Sequence, residues 1–198
     1  MQSSQSHKED LKVQVREAYG RLVYTYTTHL KQVDQLTNKN QKIKYWQIGL
    51  SAISTGGFLG ALITNQIIMT WIGGIVSASL LALNLFFKDF NIADDIKKHR
   101  GTADDLWIVR ERYISLLTDF CVLSEEAIMQ RRDELQDRTA EIYRVTPSTN
   151  FKSYSSAQKA LKEDEEQFFK ASEIDKMLPE HLREENIQNK MNESVSSL

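Results

Sequence analysis

Along residues 8–41 the apolar positions Leu11, Val15, Ala18, Leu22, Tyr26, Val33 and Leu36 recur mostly in steps of three and four. With no proline to interrupt it, that period predicts one amphipathic helix. From Tyr45 to Phe87 the pattern changes, because Asp, Glu, Lys, Arg and His are all absent. This window is too long for one membrane span and suits two. A hydrocarbon core of about 30 Å takes ~20 helical residues at a rise of about 1.5 Å each. Residues 45–63 and 67–87 can supply the spans, with Thr64, Asn65 and Gln66 as a short polar turn that makes them antiparallel neighbours. Beyond them, Ile92, Ile96, Ala103, Leu106, Val109, Tyr113, Leu116, Phe120 and Leu123 predict a helix from about Asn91 to Tyr143, with a bend or break near Glu125. Pro147 stops that pattern. A further helix is expected from near Tyr154, with Ser155 and Gln158 as a capping box, ending at Pro179. No strand-like alternation of useful length occurs. The expected fold is therefore all-α: a two-span transmembrane helical hairpin with long cytoplasmic helices. Its segments are a cytoplasmic N-terminal helix (1–44), the hairpin (45–87), a cytoplasmic helical region (88–182) and a polar tail expected to be disordered (183–198).

The two spans differ in strength. The second is dense in Ile, Leu and Phe and should insert unaided. The first must offset four glycines and several hydroxyls with a few apolar residues worth about −0.3 to −0.6 kcal/mol each, so it inserts with its partner. The competing reading is a hairpin buried in a water-soluble bundle, but a soluble helix normally keeps a polar face. Tyr45, Trp46 and Trp71 suit the interfacial belt. Lys39, Lys42 and Lys44 precede the first span, and Lys88, Lys97, Lys98 and Arg100 follow the second, whereas the turn carries no basic residue. The positive-inside rule then places both termini in the cytoplasm. The polar opening residues predict no signal peptide.

At 100° per residue, Gly49, Gly56 and Gly60 fall on one face of the first span, and Gln47, Ser51, Ser54 and Thr55 on the opposite face. In the second span Thr70, Ser77 and Asn84 share a face with Gly73 and Gly74. Small and hydroxyl residues of this kind serve either as helix-packing contacts or as the lining of a water-filled path. A single hairpin cannot enclose a pore, so the second use requires a homo-oligomer. In that case Gln47, Ser51, Ser54 and Thr55 are the expected lining. The glycine face, with Gly73, Gly74 and Ser77 on the other helix, would then pack the two spans together.

Charge and chemistry narrow the function further. A net charge of −2 with no basic stripe gives nucleic-acid binding no support. The single cysteine, Cys121, excludes an internal disulfide framework and a cysteine-rich zinc site, and its apolar neighbours predict a buried position. There is no P-loop, nucleophile elbow or HExxH, so no catalytic constellation and no cofactor are expected. His7, His29, His99 and His181 are scattered without metal-ligand spacing. Asp94, Asp95 and His99 lie within two helical turns, and a solvated juxtamembrane face accounts for them better than a site does.

One string, FKDFNIADDIKKHRGTADDLWIVRERYISLL from Phe87 to Leu117, carries a family resemblance. Within it Phe90, His99, Ala103, Leu106, Tyr113 and Leu116 resemble the pattern of the SLATT domain, the two-transmembrane effector domain associated with SMODS nucleotidyltransferases and SLOG sensors. Downstream, Arg131, Leu135, Ile142, Tyr143, Pro147, Tyr154 and Ala157 are similar to its second half. The resemblance implies a bacterial inner-membrane effector in anti-phage conflict. It would be triggered by a nucleotide second messenger or by a separately encoded nucleotidyltransferase or sensor, and would form a pore or disrupt the membrane. The alternative from another class is a non-conducting membrane adaptor that presents its cytoplasmic helices to a partner.

Overall fold

The computed structural model describes residues 2–64, 67–89, 91–169, 171–180 and 183. Every element among them is helical: α1 (Gln2–Thr64), α2 (Ile67–Asp89), α3 (Ile92–Thr118), α4 (Glu125–Val145), α5 (Phe151–Lys162) and α6 (Ala171–Met177). A 3₁₀ turn, Asp119–Cys121, separates α3 from α4. The chain divides into two units, Met1–Ala157 and Gln158–Leu198.

In the first unit α1 runs without a break through the expected amphipathic segment and the uncharged one. Its early turns place Leu11, Val15, Ala18 and Leu22 against Leu106, Val109, Tyr113, Leu116 and Phe120 of α3 and its 3₁₀ turn, and against Ile128, Leu135 and Ile142 of α4. The steps of three and four on α1 and α3, and of seven on α4, keep each apolar stripe on the shared axis. Direction follows from side-chain pairs. Lys8 Nζ donates to the Leu123 carbonyl while His29 meets His99, so α1 and α3 are antiparallel. Gln14 with Arg132, Thr25 with Tyr143 and Gln32 with Asn150 all keep an offset of 118 residues, so α4 and the start of α5 run parallel to α1.

The predicted stretch from Asn91 to Tyr143 is two helices. Ser124 ends the 3₁₀ turn in an extended conformation and accepts from the Ala127 N–H at 3.3 Å, which starts α4 afresh. Cys121 is exposed rather than buried, because Phe120 takes the inward position of that turn. The helix expected from Tyr154 begins instead at Phe151. Asn150 Oδ1 accepts from the Ser153 N–H at 2.8 Å, so the cap is Asn150 and not the Ser155–Gln158 box. Ser153 Oγ also donates to Gln32 Oε1 at 2.6 Å, tying this helix start to α1. Asn150→Ala is expected to cost about 1 kcal/mol, read as a lower denaturation midpoint by circular dichroism.

In the second unit the expected helix to Pro179 is divided. α5 stops at Lys162, where Glu163, Asp164, Glu165 and Glu166 follow. Acidic side chains at a helix C-terminus oppose its dipole, and Glu165 adopts a positive φ of 50°, which turns the chain. α6 resumes at Ala171.

The last turns of α1 and the whole of α2 form an antiparallel pair, with Gln47 opposite Asn84 and Ser54 opposite Ser77. Among the described residues no helix is long and apolar enough to cross a membrane. The turn residues Asn65 and Gln66, together with the tail from residue 184 onward, lie outside the described residues.

Candidate functional site

The seam between α1 and α2 is polar and small. Gln47 Nε2 donates to Asn84 Oδ1 at 3.0 Å, and the Ser54 and Ser77 hydroxyls bond at 2.6 Å. Farther along, a Cβ built on Gly57 would lie 3.9 Å from the Gly73 Cα, and Gly73 is buried. Two glycines therefore let the backbones close where the hydroxyl and amide pairs hold them.

This arrangement redistributes the residues singled out in the sequence. The face expected to pack against α2 was that of Gly49, Gly56 and Gly60. A Cβ at any of these, or at Gly74, meets nothing within 4 Å. The approach runs instead through Gly57, with Gln47 and Ser54, two of the four expected lining residues, turned into the seam. A helical wheel does not single out Gly57, because it groups residues by polarity and cannot tell which face a neighbour covers. The other two, Ser51 and Thr55, are exposed, with the Thr55 hydroxyl donating back to the Ser51 carbonyl at 3.0 Å. They line an open groove of about 730 Å³ together with Gln47, Ala52, Gly56 and Asn84. Much of the outward surface of the pair is apolar: Ile48, Ile53, Ile67, Ile68, Trp71, Ile72, Ile75, Leu81 and Leu85 are all exposed, Ile67 at 76% and Trp71 at 71%.

A second polar feature lies between α1 and α3. His29 and His99 are 2% and 4% exposed, and their Nδ1 atoms lie 2.8 Å apart. One imidazole must donate its Nδ1–H to the bare Nδ1 of the other, so the two rings hold opposite tautomers. Burial, and then the neighbouring His99, push His29 down to about 4. Burial also lowers His99, against an opposing pull from the Asp95 carboxylate. The pair is thus neutral near pH 7. His29 was legible in part: it continues the steps Leu22, Tyr26, His29, Val33 on the buried face of α1. Its partner, 70 residues away, was not. Asp94 is occupied at the α3 N-terminus, where it pairs with Lys98 at 2.7 Å. Among the described residues no cluster of three His, Cys, Asp or Glu could hold a metal ion.

The residues that carried the resemblance are mostly core. His99, Ala103, Leu106, Tyr113, Leu116, Leu135, Ile142 and Ala157 are buried. Tyr154 packs on Tyr24 with ring centroids 6.0 Å apart, and the Tyr143 hydroxyl donates to Thr25 Oγ1 at 3.1 Å. Arg131 reaches Asp119 at 3.5 Å, and Pro147 lies in the link between α4 and α5. Phe90 lies outside the described residues.

No curated protein and no solved structure matches the chain. A family model does, over residues 11–173, from the first core leucine of α1 into α6. The order of a long helix, a hairpin and a packed helical return therefore has a family to which it corresponds, and the chain belongs to the SMODS and SLOG-associating 2TM effector domain family 4.

Proposed function

We propose that this conflict-system effector domain acts at the bacterial inner membrane, crossing it twice through the end of α1 and α2 with both termini in the cytoplasm. The observation that carries the reading is the inverted polarity of the hairpin. Gln47 pairs with Asn84 and Ser54 with Ser77 across the seam, while isoleucines, leucines and a tryptophan are exposed. Contiguous exposed apolar surface on this scale marks a membrane or partner surface. Within hydrocarbon, polar side chains must find partners in the protein, as Gln47 does with Asn84 and Ser54 with Ser77. The basic residues that flank the hairpin support the orientation.

In this reading several copies assemble, and a nucleotide signal or sensor partner rearranges the spans so that Ser51 and Thr55 meet across subunits and the membrane leaks. The chain performs no catalytic step. A non-conducting adaptor is the second reading, and one observation favours it: Gln47 and Ser54 already spend their polar atoms within one hairpin. Purified protein in liposomes, with candidate nucleotides or the partner added, distinguishes the two. Ion leakage is expected, and Ser51→Leu with Thr55→Leu is expected to abolish it while leaving the oligomer intact on size-exclusion chromatography. Leakage unaffected by the double substitution would remove these residues from the path. Silence under every trigger would favour the adaptor.

A further inference from the structure

We propose that copies of this chain assemble head to tail, with α3 of one copy lying on the back of α1 of the next. The contact rests on the assembly proposed above and gives it a surface. On α3, Trp107, Glu111 and Ile114 share one stripe beside the buried face, and both apolar side chains are exposed. On α1, Val13, Arg16 and Gly20 share the stripe opposite Leu11, Val15, Ala18 and Leu22, which fill the core. Val13 is 54% exposed, and Arg16 is exposed as well. Gly20 is half-buried, and a Cβ there would meet nothing within 4 Å. The fold of one copy therefore does not require glycine at this helical position, where alanine would be the more stable residue.

The two stripes are complementary. Trp107, Glu111 and Ile114 run forward along α3 in steps of four and three, and Gly20, Arg16 and Val13 run back along α1 in the same steps. Laid antiparallel, the Trp107 indole covers the bare backbone at Gly20, the Glu111 carboxylate meets the Arg16 guanidinium, and Ile114 meets Val13. Arg110 takes only Oε1 of Glu111, at 2.8 Å, and leaves Oε2 for a second cation. Within one chain the facing of His29 and His99 sets Trp107 level with Arg21. The contact between copies lies one residue from that register, about 1.5 Å along the axis. Copies that cross one membrane with both termini on the same side stand level, so this register is the one neighbours can reach. Tryptophan and arginine are also the side chains that most often anchor protein interfaces. Because the two surfaces differ, each copy carries one of each, and the contact repeats from copy to copy until the rotation closes a ring.

Cross-linking of the full chain in liposomes tests this contact. In a Cys121→Ser background, Val13→Cys and Ile114→Cys combined in one chain should give a ladder of bands beyond the dimer with a short bismaleimide. Either cysteine alone should give none. Arg16→Glu and Glu111→Arg should each cut the ladder about fivefold or more, and the two together should restore it, which a folding defect cannot do. Dimers from a single cysteine would mean that like faces meet, and a double reversal that fails to restore the ladder would remove the ion pair; either result overturns the contact. An oligomer on size-exclusion chromatography that gives no ladder overturns this contact alone, whereas a monomer under every condition overturns the assembly beneath it as well. A ladder without ion leakage supports the contact and counts against the pore.

Discussion

Acidification from pH 7 to 4.5 is expected to destabilise the packed α1–α3 contact by about 2–3 kcal/mol through His29 alone. The sign follows from the direction of the shift. His29 in the unfolded chain takes up its proton near 6.5, whereas in the fold it does so only near about 4. Between those values the unfolded state binds more protons, so stability is complete above pH 6.5, falls as the pH drops, and levels off below about 4. His99, lowered by the same burial, adds to the loss in the same direction. The geometry explains the resistance. The first proton can enter and keep the Nδ1–H···Nδ1 bond, but the second places a hydrogen on both facing nitrogens 2.8 Å apart. Denaturant midpoints measured from pH 7.5 to 4 should therefore fall along a curve that His29→Phe with His99→Leu flattens. A curve of unchanged shape in that double variant would assign the acid sensitivity to other groups.

Leu106→Ala is expected to cost about 2–5 kcal/mol, enough to unfold much of the bundle of α1, α3 and α4. Leu106 is fully buried where α3 meets α1 and α4, and its removal leaves a cavity that three rigid helices cannot collapse to fill. Its neighbour makes the comparison. Trp107 is 48% exposed, turned about 100° around α3 from Leu106, and Trp107→Ala should stay under about 1 kcal/mol despite deleting more atoms. Equilibrium unfolding followed by circular dichroism separates the two. Equal losses would place the bundle axis elsewhere on α3.

Much of the secondary structure was already legible in the chain. The three- and four-residue steps placed the buried stripes on α1 and α3, because a helix can bury only one face and the period marks which one. The uncharged stretch from Tyr45 to Phe87 marked where α1 ends and α2 follows, but Tyr45 is no boundary, because α1 runs unbroken from Gln2 to Thr64. Caps were less legible, since Asn150 and Ser155 carry equivalent local signals and the choice fell to Asn150, whose helix start also satisfies Gln32 of α1.

Pairings across the fold were decided only by tertiary structure. A helical wheel separates polar from apolar faces but not neighbour from solvent, so it set Gly49, Gly56 and Gly60 against α2 where Gly57 makes the approach. The same limit hid the contact between His29 and His99. Each imidazole alone is an ordinary residue on an amphipathic helix; only the antiparallel packing of α1 on α3, which removes water from both rings at once, turns two distant histidines into one coupled group.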